Sequence, residues 1–365
     1  MRLAFALLTL AGLAAQTPQT GSWRWLSPSA ENVEVDGLPW FPENHGELIR
    51  LPLRLEHTVR PPVWELAQSP SGGRIRFRTD SNSIVVRLEY PSPPEMGNMH
   101  AFGQTGVDLY VDGVYLSTAV ADKDAAPGKV YEKVLLDLTG KPRTEREIVL
   151  YLPLYKPVKV LGIGVDKEAR ISRARSFALA KPIVFYGTSI TQGGCASRPG
   201  MAYQAILGRT LNADFVNLGF SGNGMGEPEM ASAVAEIDAA CFVLDFSQNN
   251  RTVDSLRQVY APFLETLRAK HPETPILAVT PIYASREALP ATVPTELEKM
   301  RDHIRQVVSK RIGAGDGHLQ LLEGTDLIGP NQGGGLVDGT HPNDLGFQWM
   351  ADGLTARLRK MLALP

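Results

Sequence analysis

The chain has 365 residues, enough for two domains and for a large core that needs no disulfide or metal staple. Its 37 Lys and Arg nearly balance 39 Asp and Glu, for a formal net charge of -2, and no block of basic residues leaves a footprint for nucleic acid. Only Cys195 and Cys241 are present, without a CxxC or Cys/His spacing, so both read as small buried apolar residues and a zinc site is excluded.

The first element in chain order is an address. Met1-Arg2 precedes the apolar run LAFALLTLAGLAA, which is too short to span a bilayer comfortably and closes on Ala14-Ala15. Residues 1–15 therefore read as a signal peptide. No cysteine follows the small residues to carry a lipid, and no later apolar stretch is long enough for a span. The mature protein is expected to be secreted or periplasmic, with no stable membrane anchor.

From residue 20 to 175 the hydrophobic pattern has period two. Strands are predicted over 74–79, 83–90, 107–113, 133–138 and 147–155, separated by clusters of Gly, Pro, Asn and Asp. Asp112-Gly113 marks a tight hairpin turn. No amphipathic helix stands out. Short strands with turn signals between them predict a β-sandwich domain. Trp23, Trp25, Trp40 and Trp64 read as core residues sooner than as platforms for sugar rings.

From residue 178 to 365 strands alternate with helices. Strands are predicted at 183–186, 214–220, 241–246, 275–282 and 318–324. Helices are predicted over MAYQAILGRTL, over EPEMASAVAEI, along the stripe Val253, Leu256, Tyr260, Phe263 and Leu267, and along Phe347, Met350, Leu354, Leu358 and Met361. Pro262 is expected to kink or divide the third of these. The alternation predicts a three-layer α/β/α domain around a five-stranded parallel sheet.

Ligands of open α/β sheets bind beyond the carboxyl ends of the strands, and the polar segments of this chain cluster at those predicted ends. Ser189 follows the first strand, SGNG (221–224) the second, SQNN (247–250) the third and DGTHPN (338–343) the fifth. A serine held on a sharp turn is a nucleophile once a base takes its proton. His341 is the candidate base, and Asp338, three residues earlier, is placed to fix its tautomer. The N–H groups of Ser189 and Gly222 and the side-chain amide of Asn249 are candidate donors to a developing oxyanion, with Asn250 an alternative to Asn249. Arg198, in the loop after Ser189, reads either as a substrate contact or as the partner of a nearby carboxylate.

These four ordered blocks resemble the SGNH (GDSL-like) hydrolases, through Ser189 in GTSIT, Gly222 in NLGFSGNG, Asn249 in LDFSQNN and His341 in DGTHPND. Two blocks depart from the family pattern: Thr188 stands where an Asp is usual, and no Asp follows Asn249. The stretch GVDLY (106–110) resembles the GxDLY motif of an N-terminal domain attached to some bacterial members. The resemblance implies serine esterase chemistry without metal or cofactor, with Ser189 as nucleophile, His341 as base and Asp338 as its orienter. Ser189, Gly222 and Asn249 would form the oxyanion hole. The two-domain plan is similar to that of exported carbohydrate esterases, which implies a small-molecule or polysaccharide ester as substrate and deacetylation as the reaction. The alternatives are a lipase or thioesterase on longer acyl chains, and a non-catalytic carbohydrate-binding protein.

Overall fold

Two antiparallel sheets face each other in the first half of the protein. The computed structural model describes residues 23–290 and 294–364, so the expected signal peptide lies outside the described residues. In chain order the first half carries β1 (Arg24–Leu26), β2 (Glu34–Asp36), α1 (Pro61–Ala67), β3 (Arg74–Thr79), β4 (Ser83–Glu89) and α2 (Ala101–Thr105). It continues with β5 (Val107–Val111), β6 (Val114–Ala119), β7 (Val130–Asp137), β8 (Arg146–Tyr151), β9 (Lys159–Val165) and β10 (Ile171–Ser172). One sheet runs in the order β1-β9-β4-β7 and the other β10-β3-β8-β5-β6, with β2 also on β3. Phe77, Val86, Leu109, Ile148 and Ile163 are fully buried and fill the space between them. The β5–β6 hairpin turns on Asp112 and Gly113, both at positive φ (49° and 81°), as a two-residue turn matched to strand twist requires. The helices α1 and α2 were not anticipated. At seven and five residues they are too short to show a 3.6-residue period.

The second half carries β11 (Ile183–Gly187), α3 (Ser189–Gln192), α4 (Tyr203–Leu211), β12 (Phe215–Gly219), α5 (Pro228–Ala235) and β13 (Cys241–Asp245). Then follow α6 (Val253–Lys270), β14 (Ile276–Val279), α7 (Glu296–Gly313), β15 (Leu319–Leu322), α8 (Gly324–Leu327) and α9 (Asp344–Met361). The five strands form one parallel sheet in the order β12-β11-β13-β14-β15. Val184 and Tyr186 point to the layer of α5, α6 and α7, while Ile183 and Phe185 point to that of α4 and α9. The strand order reverses between β11 and β13, the place where such sheets open a crevice. The helix α6 is a single element of 18 residues with Pro262 inside it. The carbonyl that Pro262 leaves without a partner belongs to Gln258, which is exposed and can turn to water.

The two halves share their cores. Trp40, Leu51, Val59, Val63 and Ala67 belong to the apolar layer of α5, α6 and α7. On the opposite face, Tyr110, Tyr151 and Leu154 pack into the layer of α4 and α9. Arg50, 1% exposed, sits in the first of these seams. It donates to the carbonyls of Leu66 (2.7 Å), Ser69 (2.8 Å), Asn217 (3.3 Å) and Gly219, with its guanidinium over the Phe220 ring. A buried cation is tolerable only when its donors are filled in this way.

Candidate active site

The turn after β11 is built by close packing. A Cβ on Gly187 would lie 2.0 Å from Thr191 Oγ1 and 2.6 Å from the Asp245 carbonyl, so only glycine lets the chain close here. Thr188 caps the next turn by accepting the Ile190 N–H at 3.2 Å. Ser189 thus opens α3, and its Oγ lies 2.8 Å from His341 Nε2.

The histidine is held by its own turn. Asp338 Oδ1 accepts the backbone N–H of Thr340 (3.1 Å) and of His341 (2.9 Å), while Oδ2 lies 2.8 Å from His341 Nδ1. Asn98, which follows β4, donates its amide to the same Oδ2 at 3.1 Å. Partial burial opposes the charge of Asp338. Hydrogen bonds from the His341 N–H, its imidazole and Asn98 outweigh it and hold the carboxyl well below the usual range. An ionised carboxylate can only accept, so Nδ1 carries the proton and Nε2 is left to accept from Ser189.

Opposite the histidine, the chain after β12 presents Gly222 at φ +67°, a conformation that favours glycine although a Cβ would meet nothing within 4 Å. Ser221 donates its N–H to Gln192 Oε1 (2.9 Å), and the Asn223 and Gly224 N–H groups share the Phe220 carbonyl (2.9 and 2.8 Å). The N–H groups of Gly222 and Ser189 have no protein partner among the described residues. The structure separates the two asparagines. Asn249 lines the cavity over Ser189 and gives one amide hydrogen to the Phe220 carbonyl (3.1 Å), leaving the other available. Asn250 is buried and bonds the Phe246 carbonyl (3.4 Å). The cavity has a volume of about 360 Å³, and its walls include Ser189, Gly222, Asn249, Tyr283, Arg286 and His341.

Arg198 does not face this cavity. It pairs with Asp108 (3.1 Å) and the Tyr110 hydroxyl (2.7 Å), and Asp108 also accepts the Gly200 N–H (2.8 Å). The Asp and Tyr of GVDLY therefore hold the loop that follows Ser189. Cys195 and Cys241 are both free and buried. The Cys195 thiol, Asp338 and His341 have possible ligand atoms within 4.8 Å of one another, a proximity invisible in their spacing. Burial, then the Asp338 charge, pushes that thiol up to about 11, which works against a metal at neutral pH because metals bind the thiolate. Sequence reasoning also missed Asp245 at the end of β13, paired in register with Gly187. It is 3% exposed, its Oδ1 has no partner, and burial pushes its carboxyl up to about 8 against one long contact from Thr191 (3.5 Å).

A family model described as GDSL-like lipase/acylhydrolase matches residues 180–359, and one described as the N-terminus of SGNH-hydrolase-type esterases matches residues 23–171. A Bacteroides ovatus crystal structure described as a GDSL-like lipase is 32% identical, with a TM-score of 0.78, over 92% of this chain and 97% of its own. The chain belongs to the GDSL-like lipase/acylhydrolase family. A salicylyl-acyltransferase from a tetracycline biosynthetic pathway shares the fold at 23% identity and TM-score 0.79, over 94% of this chain and 98% of its own. A family two carbohydrate esterase from Clostridium thermocellum, in complex with cellohexaose, shares it at 19% and 0.60, over 80% of this chain and 93% of its own. No curated protein matches the chain. Among the described residues of this GDSL-like hydrolase, no helix is long and apolar enough to cross a membrane.

Proposed function

We propose that the protein is an exported serine esterase that removes acetyl groups from O-acetylated carbohydrate. The observation that carries this reading is the unbroken chain from Ser189 Oγ through His341 to Asp338, beside two backbone N–H groups that have no partner among the described residues. Ser189 Oγ attacks the ester carbonyl carbon while His341 Nε2 takes its proton. The carbonyl oxygen becomes an oxyanion bound by the N–H groups of Ser189 and Gly222 and by the Asn249 amide. Collapse breaks the bond to the alcohol, which leaves with the proton from His341, and Ser189 is left acylated. A water gives a proton to His341, attacks the acyl-enzyme and releases the acid, and Ser189 recovers its proton.

The cavity of about 360 Å³ lies at the small end of small-molecule sites and has room for an acetyl group beside Ser189. The carbohydrate esterase with a related fold supports a sugar on the alcohol side, and the basic start and short apolar run of residues 1–15 support export. In this reading residues 20–175 form a sandwich domain and 178–365 the hydrolase domain. Two measurements test it: acetate released from acetylated polysaccharides, and kcat/KM across aryl esters of increasing acyl length. Turnover is expected to be highest on the acetate. A preference for the octanoate would make the protein a lipase or thioesterase, and no turnover of any ester would remove the enzymatic reading altogether.

A further inference from the structure

One wall of the catalytic cavity carries a charge that the chemistry above does not use. Among the described residues lining it, Arg286 is the only permanently charged one, and no acidic side chain is present. Arg286 is exposed and has neither an ion pair nor a side-chain hydrogen bond among the described residues. By contrast Arg198 and Arg301 are both paired with carboxylates.

The segment that carries it is nonetheless fixed. Glu287 accepts the Ala284 N–H (2.8 Å) and both terminal nitrogens of Arg301 (2.5 and 3.0 Å). Arg301 is buried and also bonds the carbonyls of Pro281 and Ile282, both at 2.9 Å. The Ser285 N–H bonds the Gly339 carbonyl (2.8 Å), which ties the segment to the turn between Asp338 and His341. Because Arg301 occupies Glu287, the neighbouring carboxylate is engaged elsewhere and does not close on Arg286. The backbone of Arg286 is thereby tied to the histidine turn, and Arg286 lines the cavity wall with no carboxylate paired to it among the described residues.

A neutral ester needs no cation here, since its developing oxyanion already faces three donors. A planar guanidinium with free donors matches a carboxylate, to which it can give two parallel hydrogen bonds. We infer that Arg286 makes the site selective for esters bearing a carboxylate near the scissile bond. This inference rests on the esterase reading and narrows its substrate class. The carboxylate can belong to the acyl side, as in a hemiester of a dicarboxylic acid, or to the alcohol side, as in an acetylated uronic acid.

The test compares each acid with its own methyl ester, so that shape is kept and charge removed. One pair is mono-4-nitrophenyl adipate and its methyl ester. The other is an O-acetylated methyl galacturonoside and its uronate methyl ester. In at least one pair, kcat/KM for the acid is expected to exceed that for the methyl ester by about tenfold at low salt, as one partly exposed charged hydrogen bond gives. The ratio should shrink in 0.5 M NaCl. It should fall to about one in Arg286→Gln and below one in Arg286→Glu. Acid-to-ester ratios of one or less in both pairs, or a ratio that survives Arg286→Gln, would overturn the inference while turnover of the methyl esters keeps the esterase reading. No turnover of any of the four would overturn both.

Discussion

Replacing Asp245 by asparagine should change how stability depends on pH. The Asp245 carboxyl is 3% exposed at the end of the central strand and is pushed from an ordinary 3.8 up to about 8 by burial. Below about pH 4 the folded and unfolded chains both hold its proton. Between about 4 and 8 the unfolded chain releases a proton that the folded one keeps, so stability falls as pH rises and levels off above about 8. At about 1.4 kcal/mol per pH unit, the gap from 3.8 to about 8 bounds the loss at roughly 6 kcal/mol. The amide of Asp245→Asn has no proton to lose. Relative to wild type, the variant should therefore gain about 3–4 kcal/mol between pH 5 and 7.5. Urea unfolding of both proteins, followed by tryptophan fluorescence at four pH values in that window, measures the difference. Parallel pH profiles would show that Asp245 is ionised in the folded state, and the account of its burial would be wrong.

Ser189→Ala and His341→Ala should each lower kcat by about 1,000-fold or more, and the double variant little further, because neither group acts without the other; losses that multiply would refute the unit. Asn249→Ala should cost about 3–4 kcal/mol in barrier, read as kcat on an aryl acetate, if it removes the proposed donor to the oxyanion. Asn250→Ala should instead appear mainly in the melting temperature, and the reverse pattern would exchange the two roles. Asn98→Ala should lower kcat/KM about fivefold through Asp338 while leaving the unfolding midpoint in place, because Asn98 is exposed. A drop in stability with no kinetic effect would make that contact purely structural.

The parallel sheet was legible because its strands are buried on both faces, so IVFYG and CFVLD read as continuous apolar runs. The polar segments at their ends were legible for the same reason, as abrupt changes of chemistry. The helix α7 was not, because Leu297, Met300, Ile304 and Val308 form a narrow stripe within the charged stretch ELEKMRDHIRQVV. No local spacing encodes the reach of Asn98 to Asp338 across 240 residues. Arg50 stands in the apolar run LIRLPL and Arg286 in the more polar YASREAL, but neither stretch says what the arginine meets. Only the fold buries one among carbonyls and leaves the other open at the cavity wall. Asp245 did leave a sign, a lone carboxylate closing an otherwise apolar strand.

The shared seams bear on how such a protein can descend. A splice near residue 175 would take Trp40, Leu51, Val59 and Val63 from one face of the hydrolase and Tyr110, Tyr151 and Leu154 from the other. Each large apolar side chain lost there uncovers surface worth about 1.5–3 kcal/mol. The same cut would remove Arg50 from the carbonyls of Asn217 and Gly219, just before the turn that bears Gly222. Recombination therefore cannot hand this hydrolase a different leading module as it can hand one to an enzyme tethered by a loose linker. The Bacteroides relative, aligned along 97% of its own length and 92% of this chain, carries both halves. Substitutions in the loops around the rim, by contrast, leave the joint core in place.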